Sequence, residues 1–321
     1  MKWVKCIMLE SFLTVFNQMF GIFLLIGVGY ALNRLHLMPK EAARICSRMV
    51  TLLFLPSLML HTNLLECHVG SLVDNAGLAL CGTLIILASI ALSYVLAKFF
   101  SPNDRYVQGV YRYGISFPNT GAVGTPLILA LFGTYGLFQY NLFWFAAIVL
   151  TYSWGVMQLR PVHQKQSVLQ TIRDMFNPTL IGTLAGIVLG VLGAKQWMPP
   201  IIIDSVGKLA GCYVPVSLII VGFTAADFRF AEVIGEKKAY IYSAIRLLAF
   251  PGVVLAILRA LGAEEMMCVI AVLAMACPSG MNVVIFPASY GQDTRAGVSM
   301  LLVSSLLALV TVPLVYALAI G

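Results

Sequence analysis

Two short motifs with the chemistry of an anion-binding site interrupt stretches that are otherwise apolar enough to cross a membrane. Both combine proline and glycine with asparagine: Pro118-Asn119-Thr120-Gly121 and Pro278-Ser279-Gly280-Met281-Asn282. Proline removes a backbone donor and glycine weakens a helix, so each motif predicts a broken helix with unpaired backbone groups. In hydrocarbon such a break survives only where it faces protein or a watery cavity. Two such breaks in matching halves of a chain are typical of a transporter's solute site.

The restarted helices and the polar side chains of the motifs predict how a solute is held. A helix N-terminus presents free N–H groups and a partial positive charge, which suits a carboxylate. The amides of Asn119 and Asn282 and the hydroxyls of Thr120 and Ser279 would donate further hydrogen bonds, while the glycines leave room for close approach. A purely structural role, such as capping the restarted helix, stays open for both asparagines.

Polar residues outside the motifs are candidates for guiding a solute to the site. Arg112 precedes Pro118 by six residues, where its charge could steer an anion that enters from the cytoplasm. Long basic side chains near helix ends also extend to the membrane surface, and we expect this of Arg112 and Arg246. Gln139 and Asn141 either face the breaks or line an exit path.

The composition is that of an integral membrane protein. Of 321 residues, 60% are hydrophobic and only 10% are charged, whereas in soluble domains roughly a quarter are charged. The net charge of +7 comes without a run of like charges, so we expect no nucleic-acid partner. The seven cysteines show no CxxC pair and no metal-ligand spacing, and we expect neither a metal nor a cofactor.

Ten segments are apolar over the length that a bilayer requires, about 20 residues, and predict an all-α fold surrounded by membrane lipid. Most of the 20 Lys and Arg residues lie in or beside the connections after spans 1, 3, 5, 7 and 9. We therefore expect these connections in the cytoplasm and both termini on the extracytoplasmic side of the inner membrane. The predicted spans are 12–33, 43–64, 73–98, 106–132, 136–158, 178–197, 200–226, 238–260, 264–289 and 295–319.

The two halves of the chain share a glycine and proline pattern at offsets of 155 to 161 residues. This predicts a duplication in which residues 1–158 and 178–321 are two five-helix units, joined by a short cytoplasmic connection, 159–177. Because five is an odd number, the second unit enters the membrane inverted, as in many secondary transporters. The matched pairs are Gly21 with Gly182, Gly29 with Gly190, Pro56 with Pro215, Pro118 with Pro278, and Tyr135-Gly136 with Tyr290-Gly291.

The stretch from Ser116 to Leu127, followed by Gly133-Thr134-Tyr135-Gly136, resembles the fourth span of the auxin efflux carrier family. The stretch from Ala276 to Phe286, followed by Tyr290-Gly291, resembles that family's ninth span. The likeness extends over the whole chain in the number and order of spans.

The resemblance implies a fold shared with bile-acid symporters and sodium/proton antiporters, in which broken spans 4 and 9 cross near the membrane centre. It implies a scaffold of spans 1, 2, 6 and 7, often dimeric, and a moving transport domain of spans 3–5 and 8–10. Substrates of the family are organic anions: auxin in plants, and malonate, malate or similar carboxylates in bacteria. The short central connection, and a third span without charge before Lys98, depart from the plant carriers and favour a small bacterial-type carboxylate.

We therefore expect a secondary transporter or facilitator of a small organic anion that alternates access at spans 4 and 9. An ion-coupled antiporter of the same fold is the nearest alternative, but spans 3, 4, 5, 8 and 9 hold no carboxylate away from their ends. Proton coupling and passive exchange stay open. We expect no enzyme, because no nucleophile and base motif is present. A membrane sensor is a further alternative, disfavoured because no attached soluble domain is expected to relay a signal.

Overall fold

The computed structural model describes residues 2–161, 176–228 and 235–320, with side chains from residue 8 onward. Within these ranges the chain forms helices joined by turns and short irregular connections, with one isolated β-bridge. The predicted connection 159–177 lies mostly outside the described residues. The first half contains α1 (Lys2–Arg34), α2 (Glu41–Met49), α3 (Leu55–Glu66), α4 (Val69–Asp74), α5 (Ala76–Phe100), α6 (Arg105–Ser116), α7 (Thr125–Leu150) and α8 (Val156–Leu159). The second half contains α9 (Pro178–Val191), α10 (Ala194–Trp197), α11 (Pro200–Gly211), α12 (Tyr213–Ala225), α13 (Lys237–Ala244), α14 (Phe250–Ala260), α15 (Glu265–Ala276), α16 (Asn282–Ser289) and α17 (Arg295–Ile320).

Seven helical segments of the described chain are long and apolar enough to cross a membrane, and they indicate a multi-pass protein. Two shorter apolar helices, α9 and α15, accompany them. The difference from the ten predicted spans arises where a predicted span is interrupted. Span 6 ends at Val191, before Gly193 takes a positive φ of 67°, and spans 4 and 9 are broken at their proline motifs. The seven segments are Met8–Arg34, Glu41–Glu66, Ala76–Phe100, Thr120–Leu159, Pro200–Ala225, Lys237–Ala260 and Arg295–Ile320.

Wider π-helical turns join several helices without a break. Three of them, at Val50–Phe54, Thr120–Gly124 and Ile245–Ala249, each end two residues before a proline. A proline ring clashes with the carbonyl four residues earlier, and in all three cases that carbonyl lies inside the wider turn. The extra residue per turn moves this carbonyl away from the ring, so the helix continues past the proline.

The central helix of the fold is α15. All nine residues from Cys268 to Ala276 are buried, as expected for a helix that is apolar on every side. The outer helices α1 and α5 instead expose large apolar side chains, such as Leu24 and Leu84, on one face. Lipid would cover such a face in a membrane.

Glycines allow several helix pairs to pack with their backbones in direct contact, and two of these pairs are related by the predicted repeat. A Cβ atom on Gly29 of α1 would lie 1.9 Å from the carbonyl oxygen of Ile219 in α12. A Cβ atom on Gly190 of α9 would lie 2.5 Å from the carbonyl oxygen of Asn63 in α3. Only glycine allows helices to approach so closely. Because Gly29 and Gly190 form one of the pairs at the repeat offset, α1 packs on α12 as α9 packs on α3.

Candidate functional site

Both proline motifs interrupt their helices in the same way. Helix α6 ends at Ser116 and α15 ends at Ala276, and the next residues, Phe117 and Cys277, have extended backbone angles. A residue that precedes proline is sterically disfavoured in the helical conformation. The local sequence is therefore sufficient to explain where both helices end.

The two interruptions lie against each other inside the protein. Pro118 and Ser279 form the isolated antiparallel bridge, and the N–H of Asn119 donates to the carbonyl oxygen of Pro278, with an N···O distance of 2.7 Å. The N–H of Ser279 donates to Oγ of Ser304 at 2.9 Å. One hydrogen bond thus joins the two interruptions, and Ser304 of α17 accepts a second, which keeps non-helical backbone stable within an apolar interior.

Two side chains from the eighth predicted span replace hydrogen bonds that the first interruption removes from α6. In a continuous helix, the carbonyls of Gly114 and Ile115 would accept from the N–H groups of residues 118 and 119. Pro118 has no N–H, and the following N–H points to the other interruption. The hydroxyl of Tyr242 donates to the Gly114 oxygen at 2.7 Å, and Nη1 of Arg246 donates to the Ile115 oxygen at 3.1 Å.

The position of Arg246 corrects the expectation that it reaches the membrane surface. Its side chain is only 1% exposed, and its guanidinium carbon lies 5.9 Å from the ring centre of Phe250. Its Nε and Nη2 atoms have no hydrogen-bond partner. The expectation failed because distance from a span end does not determine which way a side chain points. Neither Tyr242 nor Arg246 was predicted from sequence to contact the interruptions.

A cavity of about 310 Å³ lies beside the interruptions. Most of the residues predicted to bind a solute line it: Pro118, Asn119, Thr120, Gly121, Gly280 and Asn282. Two predicted residues are elsewhere. Ser279 is fully buried and bonded to Tyr242 and Ser304, and Pro278 lines a second cavity.

The two asparagines of the motifs have different surroundings. Oδ1 of Asn119 accepts from the N–H of Ala122 at 3.2 Å, so this residue caps the restarted helix and lines the cavity at the same time. Nδ2 of Asn282 donates to the hydroxyl of Tyr113 at 2.8 Å. Helix α16 begins at Asn282, and the N–H groups of Val283 and Val284 donate to the carbonyls of Gly280 and Met281. The side-chain amide of Asn282, and not the backbone N–H groups that follow it, is therefore the donor that this end of α16 offers to the cavity.

Of the three residues predicted to guide a solute, one lines the cavity and two lie outside it. Asn141 lines the cavity, and its Nδ2 atom is buried without a hydrogen-bond partner. Gln139 turns away and donates to Oδ1 of Asn75 at 2.7 Å. Arg112 is partly buried, donates to Gln108 at 3.1 Å and lies over the ring of Tyr94 at 4.4 Å. Of the three, only Asn141 contacts the cavity.

Aromatic side chains form much of the remaining cavity wall, and they were not predicted from sequence. Tyr140, Trp144 and Tyr152 lie on the helical run after the first interruption, and Tyr113 and Phe117 precede it. The spacing of four between Tyr140 and Trp144, and of eight to Tyr152, places the three on one helix face. This spacing in the sequence could have predicted that the three aromatic side chains share one wall of the cavity.

A second cavity of about 420 Å³ lies on the other side of Asn119 and Met281, which line both cavities. Its wall is largely apolar, with side chains from α1, α12 and α17. No charged side chain of the described residues lines either cavity. The part of the chain that the structure describes also contains no group of three His, Cys, Asp or Glu residues arranged to hold a metal.

The chain is similar to known membrane transport proteins over most of its length. The sequence model described as "Membrane transport protein" matches residues 14–316. A relative from Methanothermobacter thermautotrophicus, named an uncharacterized transporter, is 24% identical over 294 residues, which cover 92% of this chain and 95% of the relative. The family matched over nearly the whole chain is the one that the motifs resemble. The chain therefore belongs to the auxin efflux carrier family of membrane transport proteins.

Proposed function

We propose that the protein is a secondary transporter of small organic anions, which bind in the 310 Å³ cavity and reach it alternately from the two sides of the membrane. The observation that carries this proposal is the hydrogen bond between Asn119 and Pro278, which joins two interrupted helices beside that cavity. Unwound backbone at membrane depth is stable only when it is buried in protein or lines such a space.

Hydrogen-bond donors in the cavity favour a carboxylate over a cation. The side-chain amides of Asn119 and Asn282 line the cavity and can donate to an anion. Asn141 lines it as well, and a rotation of its amide would bring the buried, unpaired Nδ2 to the same anion. Among the residues that the structure describes, no carboxylate side chain lines the cavity, whereas a site for a cation would supply such oxygens. The aromatic wall would pack against the carbon skeleton of the solute.

The wider architecture of the proposal follows the predicted duplication. The matching contacts of Gly29 and Gly190 support two repeats. We infer ten spans with the second repeat inverted, because each repeat is predicted to have an odd number of spans. As the resemblance implies, spans 1, 2, 6 and 7 would form the scaffold and spans 3–5 and 8–10 the transport domain. Spans 4 and 9 would cross at the cavity. The distribution of Lys and Arg supports an inner-membrane location with both termini outside. A homodimer through the scaffold stays a prediction.

Unequal packing around the cavity supports alternating access. Helix α1 packs along α17. The helices at the equivalent place in the other repeat are α9 and the run that contains α7, and there Thr179 and Thr151 line the cavity. Two repeats that pack differently at equivalent places represent one of two states that can exchange.

The first experiment is a thermal-shift screen of the purified protein in detergent with malonate, malate, succinate, lactate and indole-3-acetate, each beside its uncharged amide. A ligand that binds only the folded protein raises its melting temperature in proportion to the logarithm of concentration over Kd. We expect at least one carboxylate, and not its amide, to stabilise the protein. No stabilisation by any carboxylate would contradict the proposal.

Counterflow in proteoliposomes tests transport itself. Vesicles loaded with the best carboxylate should accumulate the radiolabelled compound, and an imposed pH gradient should change the rate only if protons are coupled. Asn119→Ala should abolish counterflow while the protein stays folded, because this side chain both caps the restarted helix and faces the cavity. Asn33→Ala is a matched control, since Asn33 is buried but lies outside the cavity. Normal flux in the Asn119 variant would remove this residue from the site.

A further inference from the structure

Arg246 is the largest side chain that is fully buried in the described protein. None of the carboxylates of the described residues lies within 4.0 Å of its guanidinium. One of its nitrogens donates to Ile115, and the other two have no hydrogen-bond partner. An arginine stays protonated in proteins, so the positive charge remains inside. A buried charge without a partner is strongly unfavourable and requires compensation.

The place of this charge connects it with the proposed cavity. Its hydrogen-bond acceptor, Ile115, lies between Tyr113 and Phe117, which both line the cavity. The guanidinium charge also interacts electrostatically with Tyr140, which lines the cavity as well. In a medium of low dielectric constant, a charge acts on an ion over distances longer than a hydrogen bond.

The end of α6 explains why the site needs such a charge. The C-terminus of a helix carries a partial negative charge on its free carbonyls, which repels a carboxylate. Helix α6 ends at Ser116, directly before the cavity residue Pro118. By bonding to the Ile115 oxygen, Arg246 offsets this negative end and leaves a net positive field.

We propose that Arg246 determines the preference of the cavity for anions, and that the bound anion acts in turn as the counter-ion of this buried guanidinium. The inference rests on the proposed transport of organic anions and adds the residue that sets the charge of the accepted solute. Arg246 acts through the field and through α6, without lining the cavity, and is therefore a positioning and specificity residue.

The test compares each carboxylate with its uncharged amide in two variants. Arg246→Gln removes the charge and Arg246→Lys retains it. We expect Arg246→Gln to weaken binding of malonate or indole-3-acetate about tenfold or more, while weak binding of malonamide or indole-3-acetamide is unchanged or improved. Arg246→Lys should keep the preference for the carboxylate. Tyr242→Phe is the control, because it removes the neighbouring hydrogen bond to Gly114 without changing any charge, and it should not alter the preference.

The possible outcomes separate this inference from the proposed function. If the wild-type protein binds no carboxylate, the proposed function and this inference fail together. If the wild type binds carboxylates and Arg246→Gln retains the same preference, only this inference is overturned. If Arg246→Gln does not fold, Arg246→His at pH 6 and pH 8 replaces it. Its affinity for indole-3-acetate should then rise on acidification relative to wild type, and an equal pH response would overturn the inference.

Discussion

At the scale of single residues, the carbonyl oxygens of Gly114 and Ile115 show how a membrane helix tolerates a proline. Each loses the donor that a continuous helix would provide, and each receives another from a helix distant in sequence. The replacements differ in kind, since a neutral hydroxyl serves one carbonyl and a guanidinium serves the other. The site therefore gains a positive charge at the same place where its backbone is repaired.

Replacing Asn141 by leucine should make the protein more stable and weaken its binding of carboxylates. Its unpaired, buried Nδ2 is a cost in the empty protein, so Asn141→Leu should raise the free energy of unfolding by about 1 kcal/mol. The same substitution should weaken carboxylate binding about tenfold, because one hydrogen bond to a charged ligand is lost. Urea or thermal unfolding and thermal-shift titration measure the two effects.

The matched control for this substitution is Asn33→Leu. Nδ2 of Asn33 donates to the carbonyl of Phe223 at 2.6 Å, away from the cavity. Its loss should lower stability by about 1–3 kcal/mol and leave binding unchanged. If Asn141→Leu were destabilising to the same extent, the amide at 141 would be satisfied in the empty protein, in contradiction to its assigned role.

At the scale of elements, glycine sets the bend between the fourth and fifth predicted spans. The helical run Thr120–Leu159 contains Gly133 with φ 65° and ψ −160°, a region that is nearly exclusive to glycine. The predicted boundary between these spans lies at the same place. The hydroxyl of Tyr140 donates to the carbonyl oxygen of Thr120 at 3.3 Å, so the helix after Gly133 turns back along the helix before it. The two spans are therefore joined by a tight turn at Gly133.

Gly133→Ala should destabilise the protein by about 1–3 kcal/mol through backbone strain alone, because a Cβ there would meet nothing within 4 Å. Gly252→Ala is the control, since Gly252 is equally open but lies in helix α14. It should stabilise the protein by up to about 1 kcal/mol. Thermal unfolding of both variants in one detergent gives the comparison, and equal effects would mean that the positive φ at residue 133 is not required.

How far the sequence predicts these elements depends on whether the cause is local. The ends of α6 and α15 follow from a proline at the position itself, and the breaks were predicted there. The turn at Gly133 also has a local cause, and it falls between the predicted spans 106–132 and 136–158, although no role was predicted for this glycine. The aromatic cavity wall and the burial of Arg246 depend on how helices far apart in sequence are oriented, which no local pattern specifies. The π-helical turns before prolines had a local cause that the sequence analysis did not use.

At the scale of the whole molecule, the predicted orientation in the membrane can be tested at opposite ends of the sixth predicted span, which contains α9 and α10. Thr179 lies at the start of α9 and lines the cavity, and Gln196 is exposed on α10. In a variant without the seven native cysteines, Thr179→Cys should react with an impermeant maleimide only in inverted vesicles. Gln196→Cys should react only in spheroplasts. The reverse pattern would place both termini in the cytoplasm.

The pairing of Asn119 with Pro278 has a consequence for biosynthesis. About half of the chain separates the two residues, so the ribosome completes the first interruption long before the second one exists. Until then, the N–H of Asn119 and the carbonyls at the end of α6 lack their final partners and need water or a chaperone in the translocation machinery. The nascent N-terminal half should therefore be recognised by membrane quality-control proteases and chaperones. This recognition should end when the ninth predicted span inserts and supplies Pro278.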